Sequence, residues 1–167
     1  MGAKDHQERA GDVPIRCAIF VVSDSRTEKD DASGSCAEAI LRKVGHGIEE
    51  RRIVPNEAGA LRDALETSGA DVLITIGGTG PSARDLTIET VRPLLAKELP
   101  GFGELFRARS VGEIGNAAIL SRALLGVTAS GKVVVCTPGS TSAVRLALEE
   151  ILLPELSHLV WDVRRYR

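Results

Sequence analysis

The chain has 167 residues, a net charge of −2, 43% hydrophobic residues and 26% charged residues. These values are ordinary for one globular domain, and no run of lysines and arginines marks a nucleic-acid-binding surface. Aromatic residues make up only 3% of the chain, too few for the stacking platforms that bind single strands. No stretch of the sequence approaches the roughly 20 apolar residues that span a bilayer. We therefore expect a cytoplasmic protein with neither a nucleic acid nor a membrane as partner.

The beginning of the chain differs in composition from the rest. Residues 1–14 are polar and charged and contain no apolar signal segment, so we expect a disordered leader. Residues 15–167 are long enough for a single hydrophobic core and form one predicted domain. The three cysteines, Cys17, Cys36 and Cys136, lack the spacing of a zinc site or a disulfide framework. Because Cys17 and Cys136 lie in apolar runs, we predict that both are core residues.

Short apolar or mixed runs alternate with amphipathic segments along the chain. The former predict strands over residues 15–22, 48–54, 71–76 and 132–136. The apolar runs among them are typical of strands covered on both faces of a sheet, whereas residues 48–54 are of mixed polarity. The amphipathic segments predict helices over residues 36–44, 57–67, 88–97, 102–109 and 143–153, with Pro154 ending the last one. The alternation indicates an α/β fold, a three-layer α/β/α sandwich around a mostly parallel sheet.

In an open parallel sheet, ligands bind beyond the carboxyl ends of the strands. Three predicted strands end in turns of small or polar residues, namely Ser23-Asp24, Gly77-Gly78-Thr79-Gly80 and Pro138-Gly139-Ser140. Such turns let the backbone approach a ligand closely and direct several N–H groups at one anion. A fourth segment, Ser33-Gly34-Ser35, opens the first predicted helix and can hold a phosphate in the same way.

Two features of this region allow two interpretations each. The segment 77–80 is neither a Walker loop nor a GxGxxG fingerprint, and a glycine-rich turn after a strand is commonly only a tight turn. Asp85, five residues beyond the last loop glycine, is either the cap of a helix start or a carboxylate for Mg²⁺ beside a phosphate loop. The acidic pair Asp30 and Asp31 is expected to be solvated.

Several motifs in order are more specific than any one of them. The segment TIGGTGPSARDLTIET at residues 75–90 resembles the signature of the MoaB/MogA molybdopterin-binding family. Further segments are similar to motifs of the family and occur in its order, at residues 22–26, 100–107, 119–122 and 138–140. The resemblance runs from about residue 15 to residue 153 and is closer to the MoaB branch.

The resemblance implies an activity, the adenylylation of molybdopterin with Mg²⁺ and ATP and the release of pyrophosphate. Asp85 matches the family's essential acidic position, so it is implied to be catalytic and to hold the Mg²⁺. The residues implied to bind molybdopterin and ATP are Ser23, Asp24, Ser33, Gly34, Thr75, Gly77, Gly78, Thr79, Gly80, Pro138, Gly139 and Ser140. Family members form homotrimers or, in the MoaB branch, hexamers, so the resemblance also implies a homo-oligomer.

One position departs from the family pattern. Where active members carry a Pro-Asp motif after the second strand, this chain has Pro55-Asn56-Glu57. Asn56, placed with Asp85 among the catalytic residues, can offer a carbonyl oxygen to the metal but no charge, so a weaker Mg²⁺ site is expected. Three alternatives follow: an adenylyltransferase, a non-catalytic molybdopterin carrier with the same loops, and an unrelated phosphate-binding α/β domain.

Overall fold

The computed structural model describes residues 14–165, so the predicted leader lies outside the described residues except for Pro14. Within them the strands are β1 Arg16–Val22, β2 Gly47–Val54, β3 Val72–Ile76, β4 Leu95–Glu98, β5 Leu124–Thr128 and β6 Val133–Thr137. The α-helices are α1 Ala32–Lys43, α2 Ala58–Thr67, α3 Thr87–Val91, α4 Pro100–Ile114, α5 Thr141–Arg145 and α6 Leu153–Arg164. None of the helices in this part of the chain is long and apolar enough to cross a membrane.

The strands form one sheet in the order β2-β1-β3-β6-β5-β4. The first four of these strands are mutually parallel, whereas β5 runs antiparallel to both β6 and β4. The predicted mostly parallel sheet is therefore confirmed. The strand order reverses between β1 and β3, and open α/β sheets bind ligands at such a switch point. The turns after β1, β2, β3 and β6 all lie at this edge.

Alternate residues of β1 belong to two different cores. Ile19 and Val21 pack on the face covered by α1, α4 and the C-terminal helix, whereas Ala18 and Phe20 pack on the face covered by α2 and α3. Because helices cover both faces, the strand needs no polar alternation. The predicted three-layer α/β/α sandwich is confirmed.

The two cysteines predicted to be core residues lie in this sheet. Cys17 in β1 and Cys136 in β6 are both fully buried, which confirms that prediction. Burial raises the pKa of each thiol to about 12. Since the thiolate is the reactive form, neither cysteine is a nucleophile near neutral pH.

The helix predicted over residues 88–97 is wrong. Helix α3 ends at Val91, a 3₁₀ turn covers Arg92–Leu94, and β4 begins at Leu95. Pro93 lies at the start of the 3₁₀ turn and has no N–H to continue an α-helix. The residues that follow pair with β5, a strand that was not predicted, so their conformation is set by a partner about 30 residues away in the sequence.

The predicted helix end at Pro154 is also wrong. The helix continues from α5 through a π-helical segment, Leu146–Leu152, into α6. Pro154 cannot donate to the carbonyl of Glu150, and Arg109 takes its place by donating from Nη1 to that oxygen at 2.9 Å. The arginine and the wider π turn together accommodate the proline.

Asp71 ties the C-terminal helix to the amino-terminal edge of the sheet. Its Oδ2 accepts a hydrogen bond from Nε of Arg16 at 3.2 Å, and its Oδ1 lies 2.7 Å from Nη2 of Arg164. Desolvation raises the pKa of Asp71, but the hydrogen bonds and charges of the two arginines outweigh it and hold the pKa below its ordinary value. Because the folded-state pKa is lowered, this stabilisation is present above the unfolded-state pKa of about 3.9 and is lost as the pH falls through the folded-state value.

Asp71→Asn is expected to lower the free energy of unfolding by about 1–2 kcal/mol near neutral pH, because charge-assisted hydrogen bonds are lost. The difference from the wild type should shrink once the pH falls below about 4. Urea unfolding at both pH values measures this, with Asp63→Asn on the exposed face of α2 as the control. An equal effect of Asp71→Asn at the two pH values would contradict the assignment.

Candidate functional site

Thr87, the first residue of α3, holds the first half of the loop 77–80. Its Oγ1 donates to the carbonyl of Gly77 at 2.8 Å, and its N–H donates to the carbonyl of Gly78 at 2.9 Å. Thr87 is fully buried, so water does not compete for these bonds. Gly78 has a φ of +61°, and a Cβ at this position would lie 2.5 Å from Oγ1 of Thr87, so only glycine fits.

Arg122, which precedes β5, holds the second half of the loop. It donates from Nε to the carbonyl of Thr79 at 2.7 Å and from Nη2 to the carbonyl of Gly80 at 2.9 Å. The same guanidinium pairs with Glu89 of α3, with 2.5 Å between Nη1 and Oε1. Hydrogen bonding from Arg122 lowers the pKa of Glu89, which keeps the pair charged. Sequence reasoning missed this role, because the motif at residues 119–122 does not show which loop it contacts.

These contacts orient the N–H groups of the loop away from Thr87 and Arg122. No peptide bond among the described residues is cis, and in a trans peptide the C=O of one residue and the N–H of the next point in opposite directions. The N–H groups of Gly78, Thr79 and Gly80 therefore point away from Thr87 and Arg122. Over residues 14–165, none of the three has a hydrogen-bond acceptor. A row of free donors binds anions, so the geometry favours a ligand loop over a mere tight turn.

Asp85 lies at the end of this row of donors. A Cβ built on Gly80 would lie 2.7 Å from Oδ2 of Asp85, so the carboxylate is packed directly against the Gly80 backbone. The N–H of Asp85 donates to the carbonyl of Ser82 at 2.9 Å. Asp85 does not cap α3, because Leu86 is the N-cap residue and no side chain makes a capping bond there. Its carboxylate is thus available as an oxygen ligand beside the loop.

The turn after β1 meets the end of β2. The hydroxyl of Ser23 accepts the N–H of Arg26 at 3.1 Å and so shapes this turn. Oδ1 of Asp24 accepts the N–H of Asn56 at 2.8 Å. Asn56 in turn donates from Nδ2 to the carbonyl of Arg84, the residue before Asp85 in the chain. The structure therefore brings two predicted site residues, Asp24 and Asn56, to the segment that carries Asp85.

Arg26 links the first turn to two other parts of the site. It donates from Nη1 to the hydroxyl of Ser33 and from Nη2 to the carbonyl of Gly139 at 3.1 Å. Gly139 packs against the loop after β3, since a Cβ built on it would lie 3.5 Å from Cα of Gly77. Arg26 ends the motif at residues 22–26, but the motif does not indicate what its side chain contacts. Its partner Gly139 is 113 residues away in the chain, so only the folded structure reveals this contact.

Helix α1 begins with a buried aspartate. Asp31 accepts the N–H of Gly34 at 2.8 Å, and its Oδ2 lies 3.7 Å from Nε of Arg51. Because Asp31 is only 3% exposed, the expectation that it is solvated is wrong; the helix N–H and the guanidinium replace water. Asp30 is exposed. Ser33, at the same helix start, is also buried, so its hydroxyl supports Arg26 and has little surface for a ligand.

Three further residues predicted to bind the ligand lie in β3 or in the turn before α5. Thr75 is fully buried in β3, where its hydroxyl donates to the carbonyl of Val135 at 3.3 Å, so no surface is left for a ligand. Ser140 caps α5 by accepting the N–H of Ala143 at 3.1 Å. Pro138 is half-buried at the start of the same turn.

The carboxylates at this edge suit a hard cation whose coordination is completed by a bound ligand. Mg²⁺ typically takes one or two protein carboxylates, and substrate phosphates and water supply the remaining oxygens. Asp85 and Asp24 offer such oxygens, whereas no group of three or more His, Cys, Asp or Glu side chains within residues 14–165 could hold a metal ion alone. The donor set therefore fits Mg²⁺ that arrives with a phosphate ligand.

Comparison with known families identifies the family of this chain. The model of a family described as a probable molybdopterin binding domain matches residues 18–158. That range includes all four turns at the switch point and the whole sheet except the first two residues of β1. The chain belongs to this molybdopterin-binding family.

Individual relatives place the chain more narrowly. It is 42% identical to molybdenum cofactor biosynthesis protein B of Bacillus subtilis (strain 168), over 99% of each chain. A crystal structure of a molybdenum cofactor biosynthesis protein B superposes with a TM-score of 0.88 at 42% identity, covering 93% of this chain and 99% of the other. The tungsten cofactor synthesizing protein MoaB from Pyrococcus furiosus superposes with a TM-score of 0.81 at 38% identity, covering 91% and 98%. Within the family, the chain lies in the MoaB branch.

Gly78→Ala is expected to lower the free energy of unfolding by about 1–3 kcal/mol, because a Cβ strains the positive φ and displaces Thr87. Gly59→Ala is the matched control, since a Cβ there meets nothing within 4 Å. In a helix this control should stabilise the protein by about 0.5–1 kcal/mol. Urea unfolding measures both, and a neutral Gly78→Ala would show that the loop does not need glycine.

Proposed function

We propose that this protein acts in molybdenum cofactor biosynthesis and adenylylates molybdopterin with Mg-ATP, releasing pyrophosphate. The names of its relatives belong to that pathway, and its family model is a molybdopterin binding domain. The observation that carries the proposal is the row of three free N–H groups on Gly78, Thr79 and Gly80, which ends at the carboxylate of Asp85. Such a row suits phosphate oxygens, and the carboxylate suits their metal ion.

In the proposed reaction, an oxygen of the molybdopterin phosphate attacks the α-phosphorus of ATP. A new P–O bond forms, and the bond from the α-phosphorus to the oxygen that bridges to the β-phosphate breaks, so pyrophosphate leaves with the electron pair. Phosphoryl chemistry of this kind needs the reacting oxygens held in line and donors where negative charge builds. The loop N–H groups supply fixed donors that need no rearrangement during the reaction.

Charged side chains complete the proposed site. Mg²⁺, when bound, would neutralise charge on the phosphate oxygens, and Asp85 and Asp24 would hold it. Arg26 uses two of its five N–H donors on Ser33 and Gly139. Its charge lies among three of the four turns, where it would attract an anionic ligand.

We also propose that the protein assembles into a homotrimer or a homohexamer. Several large apolar side chains are exposed within residues 105–120, with Ile119 at 80%. They are Leu105, Val111, Ile114, Ile119 and Leu120. Clustered exposed apolar side chains are typical of protein–protein contacts, which supports self-association through α4 and the turn after it.

Asp85→Asn is expected to lower transfer at least about 100-fold while molybdopterin is still bound, because the variant keeps the shape of the side chain but loses the charge. Purified protein is incubated with molybdopterin and Mg-ATP, and adenylylated molybdopterin is quantified by mass spectrometry. Molybdopterin binding is measured separately by equilibrium dialysis. Asp63→Asn on α2 removes an equal charge far from the site and should retain full transfer.

Each outcome of this assay separates the alternatives. Full transfer by Asp85→Asn would contradict the proposed role of Asp85 in holding Mg²⁺. A wild-type protein that binds molybdopterin but forms no product would be a carrier. Failure to bind molybdopterin at all would leave only a phosphate-binding α/β domain of other function.

A further inference from the structure

Asn56 joins three segments of the site through its backbone and its side chain. It follows β2, and its N–H donates to Oδ1 of Asp24 in the turn after β1. Its Nδ2 donates to the carbonyl of Arg84 in the loop before α3. One residue therefore connects the ends of β1, β2 and β3, three neighbouring strands of the sheet.

The other side-chain atom of Asn56 does not face a ligand. Its Oδ1 is buried and has no hydrogen-bond partner within residues 14–165. It lies under the glycine loop, 3.0 Å from where a Cβ on Gly78 would sit. Exchanging the amide oxygen and nitrogen would set two carbonyl oxygens against each other at Arg84, so the orientation is determined by its surroundings. A cation in the open site cannot reach Oδ1 in this arrangement.

The bond to Arg84 bears directly on Asp85. The carbonyl of Arg84 and the N–H of Asp85 belong to the same peptide plane. Asn56 holds the carbonyl end of this plane, and the carbonyl of Ser82 accepts the N–H end at 2.9 Å. Because both ends are held, the backbone that carries the Asp85 carboxylate has one orientation, with the side chain against Gly80.

We infer that Asn56 is a positioning residue that uses a neutral amide donor to orient Asp85, and that it is not a ligand of the metal. Where the inference concerns transfer, it rests on the proposed function. An ionised aspartate at this position has no donor. It would place one carboxylate oxygen against the carbonyl of Arg84 and bury the other beside Gly78. In this chain the neutral amide thus supplies a donor to Arg84 that an ionised carboxylate lacks.

The experiment compares Asn56→Asp and Asn56→Ala with the wild type by hydrogen exchange of residues 81–86, read by mass spectrometry. Both variants should speed exchange about tenfold relative to the wild type, because each lacks the donor to the carbonyl of Arg84. Ala129→Asp, exposed in the turn between β5 and β6 at the opposite edge, is the control and should leave the exchange of residues 81–86 unchanged. Unaltered exchange in Asn56→Ala would overturn the inference.

Transfer provides a second, separate readout. Asn56→Asp should lower kcat about tenfold and leave the Mg²⁺ concentration for half-maximal rate unchanged. If Asn56→Asp transfers as fast as the wild type and needs less Mg²⁺, position 56 is a metal ligand and the inference is wrong. If the wild type transfers nothing, the proposed function fails, while hydrogen exchange still decides the role of Asn56.

Discussion

The whole site depends on the carbonyl groups of a four-residue loop being held on one side. Thr87 and Arg122 together donate hydrogen bonds to all four carbonyls of the loop, and neither accepts a hydrogen bond from a loop N–H. Because a trans peptide fixes N–H opposite C=O, the free donors of the loop must face the other way. The aligned N–H dipoles of the loop therefore favour an anion, although the loop has no ionised side chain of its own. The carboxylate of Asp85 lies at the end of this row of donors.

The sheet order explains how residues far apart in the sequence meet at this loop. Strands β1, β3 and β6 are adjacent, with β2 beside β1, so the turns that follow them share one edge. Arg26 reaches from the first of these turns to Gly139 in the last, and Asn56 joins the second to the segment before Asp85. The antiparallel pair β4 and β5 carries no such turn, but the segment leading into β5 brings Arg122 to the loop.

The elements predicted well are those whose signal is local. β1 and β3 are continuous apolar runs, and the sandwich that covers both of their faces follows from that pattern. The prediction failed at β4 and β5, because β4 depends on pairing with β5, and β5 on pairing with both β4 and β6. It also failed at Pro154, because a distant arginine binds the carbonyl that the proline leaves without a donor. Asp31 was misjudged for the same reason, since Arg51 and the N–H of Gly34 replace its water.

The sequence alone determined the fold class, the glycine loop, the acidic residue after it and the family, because each depends on residue types within short segments or on the order of such segments along the chain. The tertiary structure decided how these residues act on one another. Only the folded chain shows that Thr75 and Ser33 are buried supports, that Arg26 and Arg122 organise the turns, and that the side chain of Asn56 is committed to Arg84. The physical reason is that hydrogen-bond direction and burial depend on partners that the order of strands brings together, and neighbours in the sequence do not specify them.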